Sequence, residues 1–236
     1  MSRGLGDVYK RQPFYILREA WNILNAIAEG KIESGDEKKL NALKGETMAV
    51  IALCQFDLTR CFGYPYTKDN GASLGAPLID HLVGTYENPS RSTVAQAYDF
   101  IIETLEEAVT LMSEEKNNGR MNKYAARALL ARVYLYHNDN RKAFDMAEQL
   151  IKDVDASGSY ALYPHEKYVA AWSVETKFGS ESFFEIANSV DDTPGRDSWG
   201  YLLNWYGYQK GFVTQKYAEQ MLACLLYTSP SPRDTR

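Results

Sequence analysis

The stretch GRMNKYAARALLARVYLYHNDNRKAFDMAEQLI, residues 119–151, decides how the chain folds. Residues 122–138 carry helical patterning, and a second helical segment runs from 140 to 153. A tight polar turn over 138–140 joins them. Two helices joined so closely must lie antiparallel and share a buried seam.

A repeat signature can be laid on this hairpin position by position. Placing Tyr134 at the tyrosine of a tetratricopeptide unit puts Leu130 and Ala131 at its leucine and small-residue positions. Ala143 then opens the second helix with the small residue that close packing needs. Ala147 stands where the next aromatic is expected, with Phe144 nearby.

Working toward the N-terminus, STVAQAYDFIIETLEEAVTLM (92–112) places Val94, Tyr98, Ile101, Leu105, Ala108 and Met112 at spacings of three and four. Ser92 or Thr93 can cap this helix by accepting a free backbone N–H. Glu103, Glu106 and Glu107 lie off the stripe and read as a solvated face. Residues 47–62 are apolar on most faces, which predicts a helix sandwiched between others. Residues 14–29 place Leu17, Trp21, Leu24 and Ala28 on one stripe, with Gly30 as the stop. As the second member of a repeat, this first helix is expected to leave an apolar face uncovered. Between 63 and 91 lies a long connection with four glycines and three prolines. Such a length in a compact domain is either an ordered functional insertion or a disordered one. Its Tyr64, Tyr66 and Tyr86 are expected to wedge it onto the repeats, and Trp21 and Trp172 are expected in the core.

The fold class is therefore mainly α: tetratricopeptide-like repeats over 13–156 with a long inserted loop. An irregular, aromatic-rich part of the same domain follows over 157–223, where ESFFEIAN reads as a short strand and TQKYAEQML as weak helix. Residues 1–12 and 224–236 share no periodicity with what they flank and resemble translated adapter DNA. They are expected to be non-native flanks.

Composition narrows the function. Of 236 residues, 45% are apolar and 24% charged, enough for a packed core. The net charge of −5 argues against nucleic acid, whose phosphates call for a basic face. No apolar run approaches the ~18 residues that would span a bilayer. Cys54 and Cys61 share a helix about 10 Å apart, too far for a disulfide, and read as small buried hydrophobes. His81, His137 and His165 lie far apart, so no metal site is expected, and no phosphate loop, zinc helix or nucleophile elbow appears. The chain reads as non-catalytic and free of cofactors.

The sharpest functional stretch is GRDSWGYLLNWYGYQKGF, residues 195–212. Its six rings follow neither helical nor strand spacing, and Gly195, Gly200, Gly207 and Gly211 favour a loop, where function concentrates. Flat rings suit the apolar C–H face of a sugar, and Arg196, Asp197 and Asn204 can bond its hydroxyl rim. The same rings could instead anchor the loop against helices, and both readings stay open. The candidate ligand-binding set is Trp199, Tyr201, Trp205, Tyr206, Tyr208, Arg196 and Asn204, led by Trp199 and Trp205. Asp191 and Asp192 nearby read as a loop cap or a solvated turn.

Four segments in order, LKGETMAVIALCQFDLTRCFGYPY, NPSRSTVAQAYDFIIETLEEAVTLM, the 119–151 hairpin and SESFFEIANS, resemble the SusD/RagB family of Bacteroidetes. The first matches the family's helix followed by a G-x-P turn, here Gly63, Tyr64 and Pro65. In the hairpin, Ala125, Ala126, Leu129, Leu130, Ala131 and Arg132 match its best-recognised repeat. The resemblance covers about residues 14–222 and implies a SusD-like fold. It also implies a nutrient-binding lipoprotein on the extracellular face of the outer membrane, serving polysaccharide utilisation. Such a protein partners a SusC-like TonB-dependent transporter and captures oligosaccharide, or in some members peptide, without catalysis. With both ends read as non-native flanks, the chain is expected to be an internal fragment, in which the family's signal peptide, lipid-acceptor cysteine and C-terminal portion are not recognised. The rival readings are a tetratricopeptide-type protein–protein scaffold and a glycoside hydrolase.

Overall fold

The structure, a computed structural model, describes residues 5–116, 118–171, 177–187, 201, 214–217 and 219–220. The chain divides into two compact units, Met1–Ala187 and Asn188–Arg236.

In the first unit, α1 (Leu5–Ala28) is followed by α2 (Glu37–Phe62), then the insertion with strands β1 (Leu74–Pro77) and β2 (Arg91–Thr93). Helices α3 (Val94–Leu111), α4 (Lys123–Tyr136), α5 (Asn140–Ser157) and the single turn α6 (Tyr168–Ala171) complete it. Helix α1 begins well before Phe14, with Pro13 inside it, so helical backbone runs through most of the segment expected to be flank. It ends as expected: Gly30 takes a left-handed φ of 67°, and Lys31 N–H closes back onto Ala26 O at 2.8 Å.

Helix α2 starts ten residues before the predicted Thr47. Asp36 caps it, its carboxylate accepting from Lys38 and Lys39 N–H. The polar first half, with Gly45 in its interior, hid this start. The glycine has a packing reason. A Cβ at Gly45 would stand 2.7 Å from Met112 Cγ and 2.9 Å from Ala108 O, so α2 and the end of α3 meet where a side chain has no room. At the other end of the same pair, Phe56 meets the Tyr98 ring edge-on at 6.1 Å, so α2 and α3 are antiparallel.

The sandwich predicted for α2 is present. Its Met48, Ala49, Ala52 and Phe56 join the main core with Tyr98, Ile101, Leu105 and Ala108 of α3 and Leu130 and Val133 of α4. Its Ile51, Cys54 and Leu58 form a second core with Leu17 and Ala20 of α1. Of the predicted α1 stripe, Leu17 is buried, Trp21 and Leu24 are half-buried, and Ala28 is exposed. Tyr15 and Ile16, off that stripe, are exposed.

Helices α4 and α5 form the predicted hairpin. Tyr124 at the start of α4 packs with Leu150 and Val154 near the end of α5, so the pair is antiparallel. Arg127 Nη1 reaches Asp153 Oδ2 across it at 2.6 Å. The turn places Asn138 at φ 72°, and Asp139 caps α5. Tyr134, Leu130 and Ala143 of the repeat signature are buried in one cluster, whereas Phe144 is 59% exposed and does not stand in for the missing aromatic. For α3 the cap is Thr93, in a reciprocal capping box with Gln96. Glu103, Glu106 and Glu107 are exposed as expected, with Glu106 accepting from the Tyr134 hydroxyl at 2.5 Å.

Two expectations change. ESFFEIAN is not a strand: the described 181–187 backbone is irregular, and the Phe183 ring packs edge-on against Tyr160 at 4.9 Å. Paired rings hold this segment where a ladder would need a neighbouring strand. Cys61 is exposed, while Cys54 is buried and its thiol is pushed up to about 11, by burial first and Asp57 second. Trp172 lies outside the described residues.

In the second unit, the described residues include a helical turn at 215–217. Thr214 Oγ1 accepts from Tyr217 N–H at 3.2 Å, and Gln215 bonds Glu219 at 2.8 Å.

Candidate functional site

Of the sequence-predicted set, Tyr201 falls within the described residues and is half-buried. Trp199, Trp205, Tyr206, Tyr208, Arg196 and Asn204 lie outside them, as do Asp191 and Asp192. The site that the described residues do build is the insertion on its helical frame.

The insertion is ordered, and three anchors hold it. The first is aromatic. A 3₁₀ turn at Tyr66–Lys68 lays the Tyr66 ring against Tyr98 at 5.6 Å and His137 at 4.2 Å. The chain then turns back through Gly71, whose φ is 76° and where a Cβ would stand 2.7 Å from Ala95 N, leaving no room for a side chain. The second anchor is the antiparallel pair β1–β2, with Leu74 opposite Thr93 and Pro77 opposite Arg91, separated by a bulge. Arg91 seals it, donating at 2.7 Å from Nε to Gly75 O and from Nη2 to Leu74 O. Sequence reading missed these strands, which are only four and three residues long, the first of them holding a glycine and a proline.

The third anchor is a buried amide. Gln55 on α2 donates from Nε2 to Pro77 O at 3.1 Å and accepts from Ile79 N–H at 3.3 Å. Trp21 Nε1 on α1 donates to Ile79 O at 3.2 Å. The Pro77 carbonyl and both polar groups of Ile79 are thereby satisfied by side chains where the chain leaves the ladder. Of the three insertion tyrosines, Tyr66 wedges the loop as expected. Tyr64 is 57% exposed beneath the Lys68 ammonium, and Tyr86 is 96% exposed.

Beside these anchors lies a cleft of about 490 Å³. Phe14 and Arg18 of α1 and Pro77 and Ile79 of the insertion form its inner wall, and His81, Val83 and Thr85 its outer wall. The lining is mostly apolar. Arg18 is paired with Glu19 at 2.8 Å, and His81 stands between Asp80 and Glu87. Burial pushes the Tyr98 phenol behind the insertion up to about 12, so it stays neutral. A second cleft, of about 600 Å³, opens between the α1–α2 connection and the α3–α4 connection. Its lining is charged: Glu46 accepts from Arg120 Nε at 2.9 Å and from Met121 N–H at 3.0 Å. Such a rim offers hydrogen bonds and no aromatic face. Among the described residues, no three His, Cys, Asp or Glu side chains converge to hold a metal ion. Nor is any described helix long and apolar enough to cross a membrane.

Comparison with known proteins agrees with this architecture. A family model described as SusD-like, starch-binding and associating with the outer membrane matches residues 9–135. Among solved structures, a SusD superfamily protein from Bacteroides vulgatus is 95% identical, with a TM-score of 0.85 over 90% of this chain and 48% of its own. A SusD superfamily protein from Bacteroides thetaiotaomicron is 39% identical, with a TM-score of 0.71 over 76% of this chain and 38% of its own. A laminarin-binding SusD-like protein shares the fold at 23% identity and a TM-score of 0.59, over 80% of this chain and 38% of its own. The chain thus spans about half or less of the length of these structures. No curated protein matches it. The family match takes in more than half of the sequence and runs from α1 almost to the end of α4, and on that ground the chain belongs to the SusD-like family.

Proposed function

We propose that this chain is part of a non-catalytic, surface nutrient-binding protein that captures oligosaccharide. It hands that cargo to a SusC-like TonB-dependent transporter at the extracellular face of the outer membrane, where a lipid anchor holds it. The observation that carries this reading is the match over residues 9–135 to a family described as starch-binding and outer-membrane-associated. The aromatic stretch 195–212 supplies the proposed contacts. Trp199, Tyr201, Trp205, Tyr206 and Tyr208 stack on apolar sugar faces, and Arg196 and Asn204 bond the hydroxyls.

Migration in native gels cast with soluble polysaccharides tests it. At least one glycan retards the protein, and Trp199→Ala or Trp205→Ala abolishes the retardation while the fold is kept. Variants that bind as well as wild type would remove those two residues from the site. A protein that ignores every glycan yet co-purifies with a protein partner or a peptide would favour the scaffold or peptide-binding reading. Release of reducing sugar would mark an enzyme.

A further inference from the structure

Segment 80–87 of the insertion closes on itself through one histidine. His81 Nδ1 lies 2.6 Å from Asp80 Oδ1, and its Nε2 lies 2.8 Å from Glu87 Oε1. An ionised carboxylate can only accept, and a neutral imidazole carries a single N–H. Both bonds can therefore exist together only with the imidazolium. Glu87 is itself fixed. Its Oε2 accepts from Gly84 N–H at 3.1 Å, and its own N–H donates to Gly84 O at 3.1 Å. Protonated His81 thus completes a ring of bonds through Asp80, Glu87 and Gly84.

That ring sits at a boundary. Residues up to Ile79 are fastened to the helices by Gln55 and Trp21. Beyond them, segment 80–87 forms the outer wall of the 490 Å³ cleft, facing Phe14 and Arg18 of α1. The hydrogen bonds just described all run within the segment. The charged groups bonded to His81 are Asp80 and Glu87 from its own segment; from α1, Arg18 lines the same cleft and is paired with Glu19.

We propose that Asp80, His81 and Glu87 form a protonation-dependent clasp that fixes segment 80–87 as the outer wall of the cleft. With His81 charged, both carboxylates are engaged and the wall is set. When His81 loses a proton, one carboxylate faces a ring nitrogen lone pair, that bond becomes repulsive, and the wall is released on that side. The direction in pH follows. The hydrogen bonds from Asp80 and then Glu87 raise the pKa of His81 above the ordinary imidazole value. The Gly84 amide and then His81 lower that of Glu87. The clasp is closed at lower pH and opens as pH rises through the raised His81 value. It acts whatever the cleft holds.

The test is an NMR pH titration of the 236-residue chain with labelled histidine, the His81 signals identified by their loss in His81→Gln. The expected result is a His81 midpoint above the free value of about 6.5, with both ring nitrogens protonated below it. Val83 and Gly84 signals shift with the same midpoint, and their titration vanishes in His81→Gln. Glu87→Gln and, separately, Asp80→Asn move the midpoint back toward the free value. These positions are exposed, so the variants retain the fold. A midpoint at or below the free value overturns the clasp. So does a midpoint unchanged in both carboxylate variants, or Val83 and Gly84 signals that do not follow His81.

Discussion

Gln55 holds Ile79 from inside the protein: the fully buried amide of α2 accepts the Ile79 N–H at 3.3 Å while its own N–H₂ donates to Pro77 O. One side chain therefore bonds the backbone at both ends of this stretch, where β1 gives way to the loop. In Gln55→Leu, the Pro77 carbonyl and Ile79 N–H lose their partner in a water-poor site, at a cost of about 1–3 kcal/mol. Urea unfolding should show that loss, and amide exchange should speed up at Ile79. A variant as stable as wild type would mean that Gln55 does not hold the insertion.

Gly45 sets two tendencies against each other. Alanine is favoured over glycine inside a helix by about 1 kcal/mol. Against that, its Cβ would meet Ala108 O at 2.9 Å and Leu111 Cβ at 3.0 Å. Met112 can swing its side chain away, but a backbone carbonyl in a packed helix cannot, and overpacking costs about 1–3 kcal/mol. Gly45→Ala should therefore be net destabilising in thermal unfolding, and a raised Tm would refute the close approach of α2 and α3.

The insertion tyrosines should respond unequally. Tyr66→Ala removes ring contacts with Tyr98 and His137, each kind worth about 0.5–1.5 kcal/mol beyond the area it buries. Tyr86, 96% exposed, should tolerate Tyr86→Ala within about 0.5 kcal/mol. Paired denaturation curves decide the matter, and equal losses would contradict the anchoring role of Tyr66.

Acid should weaken the α4–α5 hairpin in a defined way. The Arg127 guanidinium, and next Gln149, hold the Asp153 carboxyl below its ordinary value. A carboxyl depressed in the folded state adds stability above the unfolded-state value of about 3.9, and that stability fades as pH falls through the folded value. Wild type should exceed Asp153→Asn in stability at pH 7, with the gap closing below about pH 4. A gap that persists in acid would point to lost packing and away from charge.

How far the sequence could be read depended on where each element finds its partners. Helix α3 was legible because its stripe from Val94 to Met112 is its buried face, and the α4–α5 hairpin because Tyr134, Leu130 and Ala143 are spaced by helix geometry. The start of α2 was not, because Gly45 answers to Ala108 and Met112, some sixty residues away. The insertion's strands were hidden for a similar reason: Gln55 of α2 holds Pro77 at the end of β1 from outside the segment, and Arg91 closes the pair from sixteen residues away in sequence. Phe183 and Phe184 looked like a strand because their β-favouring rings are satisfied by packing, with Tyr160 as one partner of Phe183. In the described part of the site, the tyrosines could be picked out by type, but nothing local separated inward Tyr66 from outward Tyr86.

The insertion is bolted at Tyr66, at Pro77 to Ile79 and at Arg91, while segment 80–87 between the last two bolts is tied mainly to itself. Mutational drift is therefore cheap in that outer arc and expensive at its roots. Lineages could recolour the arc, lengthen it or exchange its charges without renegotiating the helical frame. In an architecture of this kind the outer arc can change its sequence while the helical frame beneath it keeps its contacts.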